Sequence, residues 1–93
     1  MKKTVEKAVE RIAAMESCFN RLCAAADMPD LLYEDAALRS CLKELEGYYH
    51  GGLWLADYTL DEQGLLPREL KRGVLSQDGV YDLLERINKQ GAV

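Results

Sequence analysis

The sequence predicts an all-α fold, an antiparallel helical hairpin of two long helices with a short third helix and a C-terminal helix packed on it. Three observations carry this. Over residues 4–27, Val5, Ala8, Ile12, Met15, Phe19, Leu22 and Ala26 recur at alternating steps of three and four, a seam kept for three heptads. There are only two prolines, and Ala, Leu, Glu, Lys and Arg, which lose least on entering a helix, dominate. No segment alternates apolar and polar residues long enough to read as a strand.

Each element follows in order. In the first helix, Val9 and Cys23 widen the seam, while Lys3, Glu6, Lys7, Glu10 and Arg11 lie off it, as a solvated face does. Thr4 is placed to cap it. Pro29 pushes Met28 out of the α region, so Met28 marks the break. The second helix is expected from Asp30 to Tyr49, with Leu31, Leu38, Leu42, Leu45 and Tyr49 on one stripe and an Asp35–Arg39 pair one turn apart. Gly51 and Gly52 end it. The third helix spans residues 53–63, with Gly64 just past its end and Pro67 beyond.

Residues 65–75 form a connection, with a helical turn expected near Arg68–Lys71. Its leucines, Leu65, Leu66, Leu70 and Leu75, imply that it packs down on the hairpin. Ser76 caps the last helix, whose buried stripe is Val80, Leu83, Leu84 and Ile87. Gly79 weakens that helix unless close packing requires it, and Gly91 ends it.

The 93 residues allow one domain and one core. The net charge of −4 is evenly spread: seven bases and nine acids in residues 1–46, five and seven in residues 47–93. With no basic patch, nucleic acid and anionic membranes are not expected partners. No stretch approaches the ~20 apolar residues of a membrane span, and the first residues do not read as a targeting segment. The expected setting is the cytoplasm. Cys18, Cys23 and Cys41 lack metal-ligand spacing and read as reduced, small apolar core residues. A disulfide or a zinc site is the alternative.

The second half is more distinctive than its helices require. Leu53-Trp54-Leu55-Ala56-Asp57-Tyr58, Asp61-Glu62-Gln63-Gly64-Leu65-Leu66-Pro67, the run from Leu70 to Asp78, and Tyr81-Asp82-Leu83-Leu84 resemble a family of small bacterial proteins, domain of unknown function 4298. Arg11 to Glu16 and the Tyr48-Tyr49 pair fit it less specifically. The resemblance covers essentially the whole chain. It implies a bacterial, cytoplasmic, helical protein and carries no activity, cofactor or site.

The candidate interaction surface comprises Tyr48, Tyr49, His50, Trp54, Asp57, Tyr58, Asp61, Glu62, Lys71 and Arg72. Tyr and Trp combine apolar area with a polar handle and are enriched at interfaces, although the same four aromatics suit the closed end of a bundle. His50 sits where a helix favours a cation. Asp57, Asp61 and Glu62 either hold a hard cation or pair with Lys71 and Arg72, and at least one such ion pair is expected. No nucleophile–base arrangement, phosphate-binding glycine loop or acid–lysine nuclease pattern on strands is legible. The favoured reading is a non-catalytic module that binds a protein partner or itself, without a cofactor. The alternative is a small metal-dependent enzyme or metal-binding protein centred on Asp57, Asp61 and Glu62.

Overall fold

The structure is a computed structural model that describes residues 2–76 and 78–91, with side chains over 3–76 and 78–88. Gln77, part of the distinctive run above, lies outside the described residues. Among the described residues, five α-helices pack together: α1 (Lys2–Ala25), α2 (Pro29–Glu34), α3 (Ala36–His50), α4 (Leu53–Glu62) and α5 (Gly79–Gly91). A 3₁₀ turn spans Gly73–Leu75. The molecule is elongated, 45 × 22 × 21 Å.

The expected hairpin is α1 against α3. Cys18 meets Cys41 and Arg11 lies near Tyr48 through Asp57, which sets the two helices antiparallel. α5 runs along the far half of α1: Gly79 sits beside Phe19 and Arg86 binds Asp27. The core holds Ala8, Ile12, Leu22, Leu38, Leu45, Val74, Val80, Leu83, Leu84 and Ile87, with Phe19 and Leu42 only half-buried against it.

The second helix is not continuous. Asp35 leaves the helical region (φ −88°, ψ 108°) and its carboxylate accepts from the backbone N–H of Ala37 and Leu38, at 2.9 and 3.3 Å. It is therefore the N-cap of α3, a role that short acceptors fill well. Arg39 donates to the Tyr33 carbonyl at 2.7 Å, where an Asp35 pair was expected. The break shifts the helical phase, so Leu32 is buried and Leu31 is exposed.

Three further expectations change. α1 already runs from Lys2, which puts Thr4 inside it. The apolar stripe of α1 widens through Cys18 and Ala25, which are buried, and not through Cys23, which is exposed. The row Arg11–Cys18–Ala25, at steps of seven, therefore faces inward and takes Arg11 off the solvated face. Between α4 and α5, residues 68–71 are not helical, and the helical turn falls instead at Gly73–Leu75.

The connection does pack down, through Leu66, Val74 and Leu75, while Leu65 stays exposed. Gly64 adopts the left-handed conformation expected just past α4, φ 71°. Ser76 Oγ accepts from the Gly79 N–H at 3.1 Å. A Cβ on Gly79 would stand 2.3 Å from that same oxygen, so the cap and the glycine require each other.

Candidate functional site

The distinctive half of the chain centres on α4. Its inner face carries Trp54, Asp57, Tyr58 and Asp61; its outer face carries Leu55, Ala56, Thr59 and Glu62. Among the described residues, Asp57 is the buried charged side chain. It has no exposed surface and lies between α1 and α3. Arg11 grips it with two hydrogen bonds, Nε to Oδ2 at 2.9 Å and Nη2 to Oδ1 at 2.5 Å. The Tyr48 hydroxyl donates to Oδ2 at 2.8 Å. A planar guanidinium matches a carboxylate in this two-point manner, and such charge-assisted bonds are the strong ones.

The environment reshapes the partners' proton affinities. Burial, then hydrogen bonding to Asp57, pushes the Tyr48 phenol well above its ordinary value. The hydrogen bond to Asp57 raises Arg11 further, against the opposing effect of burial. Both groups therefore keep their protons near neutral pH, and both oxygens of Asp57 are occupied by donors. This carboxylate holds three helices together; a cation or a transferable proton would have to displace Arg11.

Asp61 is half-buried and pairs with Arg72, forming the expected ion pair across the connection. Arg72 also donates to the carbonyls of Pro67 and Leu70, so one guanidinium gathers the bend after α4. Glu62 and Lys71 are exposed. The acidic trio is thus split among interior, half-buried and surface positions. Among the described residues, no group of three or more His, Cys, Asp or Glu side chains is placed to hold a metal ion.

The aromatic candidates divide likewise. Tyr48 is core. Tyr49, Trp54 and Tyr58 are half-buried and form a ladder. Tyr49 meets Trp54 edge-on with centroids 5.2 Å apart, and Trp54 stacks on Tyr58 at 5.2 Å and 19°. His50, exposed in the last turn of α3, meets Tyr49 edge-on at 5.3 Å. The Trp54 indole N–H donates to the Val74 carbonyl at 2.8 Å, while the Val74 N–H donates to Glu16 Oε1 at 2.8 Å. Val74 is thereby clipped to α4 by its oxygen and to α1 by its nitrogen.

Sequence reasoning did not assign roles to Arg11 or Glu16. The one available signal was register, since Arg11 stands a heptad before Cys18. Glu16 offered none, because its partner is a backbone amide 58 residues away.

Residues 12–91 match the family described as Domain of unknown function (DUF4298). The chain belongs to that family. The DUF4298 span takes in Tyr48, Asp57, Arg72 and Val74, with Arg11 one residue before it. No curated protein and no solved structure matches this DUF4298 chain. Among its described residues, no helix is long and apolar enough to cross a membrane.

Proposed function

We propose that the protein is a non-catalytic helical module of the bacterial cytoplasm that works by binding another protein or a second copy of itself. The observation that supports this most is the outer side of α4. Leu53 is 48% exposed and Leu55 60%, and Leu65 just beyond is 45% exposed. The outer face is mixed, with Leu55 and Ala56 beside Thr59 and Glu62, and only the inner face is covered within the chain. The same stretch of chain carries the half-buried Trp54 and Tyr58, so apolar area and polar handles occur close together in sequence, as at interaction surfaces.

Two of the three carboxylates on which a metal-dependent enzyme would rest are already engaged within the fold. Asp57 is bound by Arg11 and Tyr48, and Asp61 by Arg72. The evenly acidic surface favours a protein partner over a nucleic acid.

Sedimentation velocity across a range of concentrations, paired with in-cell cross-linking, tests the reading using Leu55→Asp as the control. Leu55 is exposed, so the substitution should change stability by less than ~0.5 kcal/mol. The expected result is self-association, or one cross-linked partner, present in the wild type and lost in the variant. A monomer at every concentration, with cross-links that do not depend on Leu55, would overturn it.

A further inference from the structure

The function proposed above does not use the two thiols buried between α1 and α3. Cys18 and Cys41 are 7% and 6% exposed, and their sulfurs lie 3.0 Å apart. Both are free thiols. A disulfide bond is about 2.05 Å long, so the sulfurs need close only about 1 Å from 3.0 Å. The two cysteines face each other across the antiparallel pair that forms the backbone of the bundle, 23 residues apart in sequence. The third cysteine, Cys23, is exposed on α1.

We propose that Cys18 and Cys41 are a redox-sensitive pair, converted by a small hydroperoxide into an intramolecular disulfide that ties α1 to α3. One sulfur attacks the peroxide oxygen, the O–O bond breaks, and a sulfenic acid forms as an alcohol or water leaves. The second sulfur attacks the sulfenic sulfur, forming the S–S bond and expelling water. Two thiols are oxidised by two electrons, the hydroperoxide is reduced by two, and the thiol protons end on the released water and alcohol. A small thiol reverses the reaction by exchange.

The loop so closed runs from residue 18 to residue 41. It contains the α1–α2 corner, all of α2, and the Asp35 cap that starts α3. Oxidation thus restrains the one segment where the hairpin changes direction, which carries exposed Met28, Leu31 and Tyr33. Burial first, and the contact with Cys41 second, push the Cys18 thiol up to about 12. Cys18 is therefore protonated near neutral pH, and thiolate is the reactive form. Access and ionisation, not distance, keep the resting pair reduced, and the oxidant must be small enough to enter a helix interface.

The test treats the folded wild-type protein with hydrogen peroxide, quenches, denatures, and counts thiols by alkylation and peptide mapping. The expected result is a fall from three thiols to one, a cross-linked peptide pair containing Cys18 and Cys41, and full recovery with dithiothreitol. Cys23→Ser should form the same cross-link, and Cys41→Ser should form none. Retention of all three thiols, a cross-link through Cys23, or conversion of Cys18 or Cys41 to sulfinic or sulfonic acid without a cross-link would overturn the proposal.

Discussion

The Arg11 guanidinium and the Asp57 carboxylate meet in a two-point contact across 46 residues of sequence, and the carboxylate side of that contact is entirely buried. The Arg11 side chain retains 28% exposure. This asymmetry decides what each half does when the other is removed.

Arg11→Ala leaves a buried carboxylate with only the Tyr48 hydroxyl, and should cost about 3–5 kcal/mol. Asp57→Ala leaves a guanidinium that can turn toward water and a phenol without its acceptor, and should cost less, about 2 kcal/mol. Urea denaturation with an unchanged slope measures both. Losses below ~0.5 kcal/mol in both variants would mean that the contact holds nothing.

The raised Tyr48 phenol makes an alkaline prediction. Its folded value lies above its unfolded value of about 10 because burial and Asp57 favour the protonated form. Below pH ~10 both states hold the proton and the contribution is complete; above it the unfolded state releases the proton first, and stability falls. Cys18, pushed from 9.0 up to about 12, adds a similar fall that begins near pH 9. Tyr48→Phe should therefore flatten the decline above pH ~10 while costing ~1 kcal/mol at neutral pH. A variant whose stability falls as steeply as the wild type's through that range would contradict this account.

Val74 is held at both backbone ends, by Glu16 and by Trp54. Glu16→Ala should free its amide and lower local stability by ~1 kcal/mol. Native-state hydrogen exchange should then speed up at Val74 and Leu75 while the Leu45 amide in α3 keeps its protection. Uniform acceleration at all three would mean that the clip belongs to global stability.

Gly79→Ala ordinarily favours a helix by up to ~1 kcal/mol. Here the new Cβ would stand 2.3 Å from Ser76 Oγ, which must swing away from the Gly79 N–H it caps. Losing that cap costs about 1 kcal/mol, so the variant should melt lower than the wild type. A higher melting temperature would refute the requirement.

Much of this fold was legible. The stripe of Val80, Leu83, Leu84 and Ile87 is buried as its spacing implies, Gly64 ends α4, and the connection packs down through Leu66 and Leu75 though not through Leu65. Local periodicity and local turn chemistry carry such features. Asp35 was legible only as the acid of an ion pair with Arg39 inside one continuous helix, whereas it caps α3 and Arg39 binds the Tyr33 carbonyl; pair and cap would use the same side chain. Spacing alone does not separate them, because the choice depends on whether the backbone bends. The α4 carboxylates were visible as a cluster but not as three environments. Asp57 meets Arg11 only after α1, α3 and α4 are assembled, and a charged residue on an amphipathic helix reads by default as solvated. Arg72 with Asp61 was accessible because the connection between them is short.

The central claim is that Asp57 and Asp61 of α4 hold the fold together while the exposed leucines on and beside that helix are what the molecule presents. Thermal unfolding of the wild type, and of Asp61→Asn and Glu62→Gln, during titration with Mg²⁺, Ca²⁺ and Mn²⁺ tests it most directly. A ligand that binds only the folded state raises stability in a saturable way. The account predicts no saturable shift with any of the three ions. A saturable rise of about 4 °C or more, near 1 kcal/mol for a domain of this size, that disappears in either variant would contradict it and move the metal-dependent reading into first place.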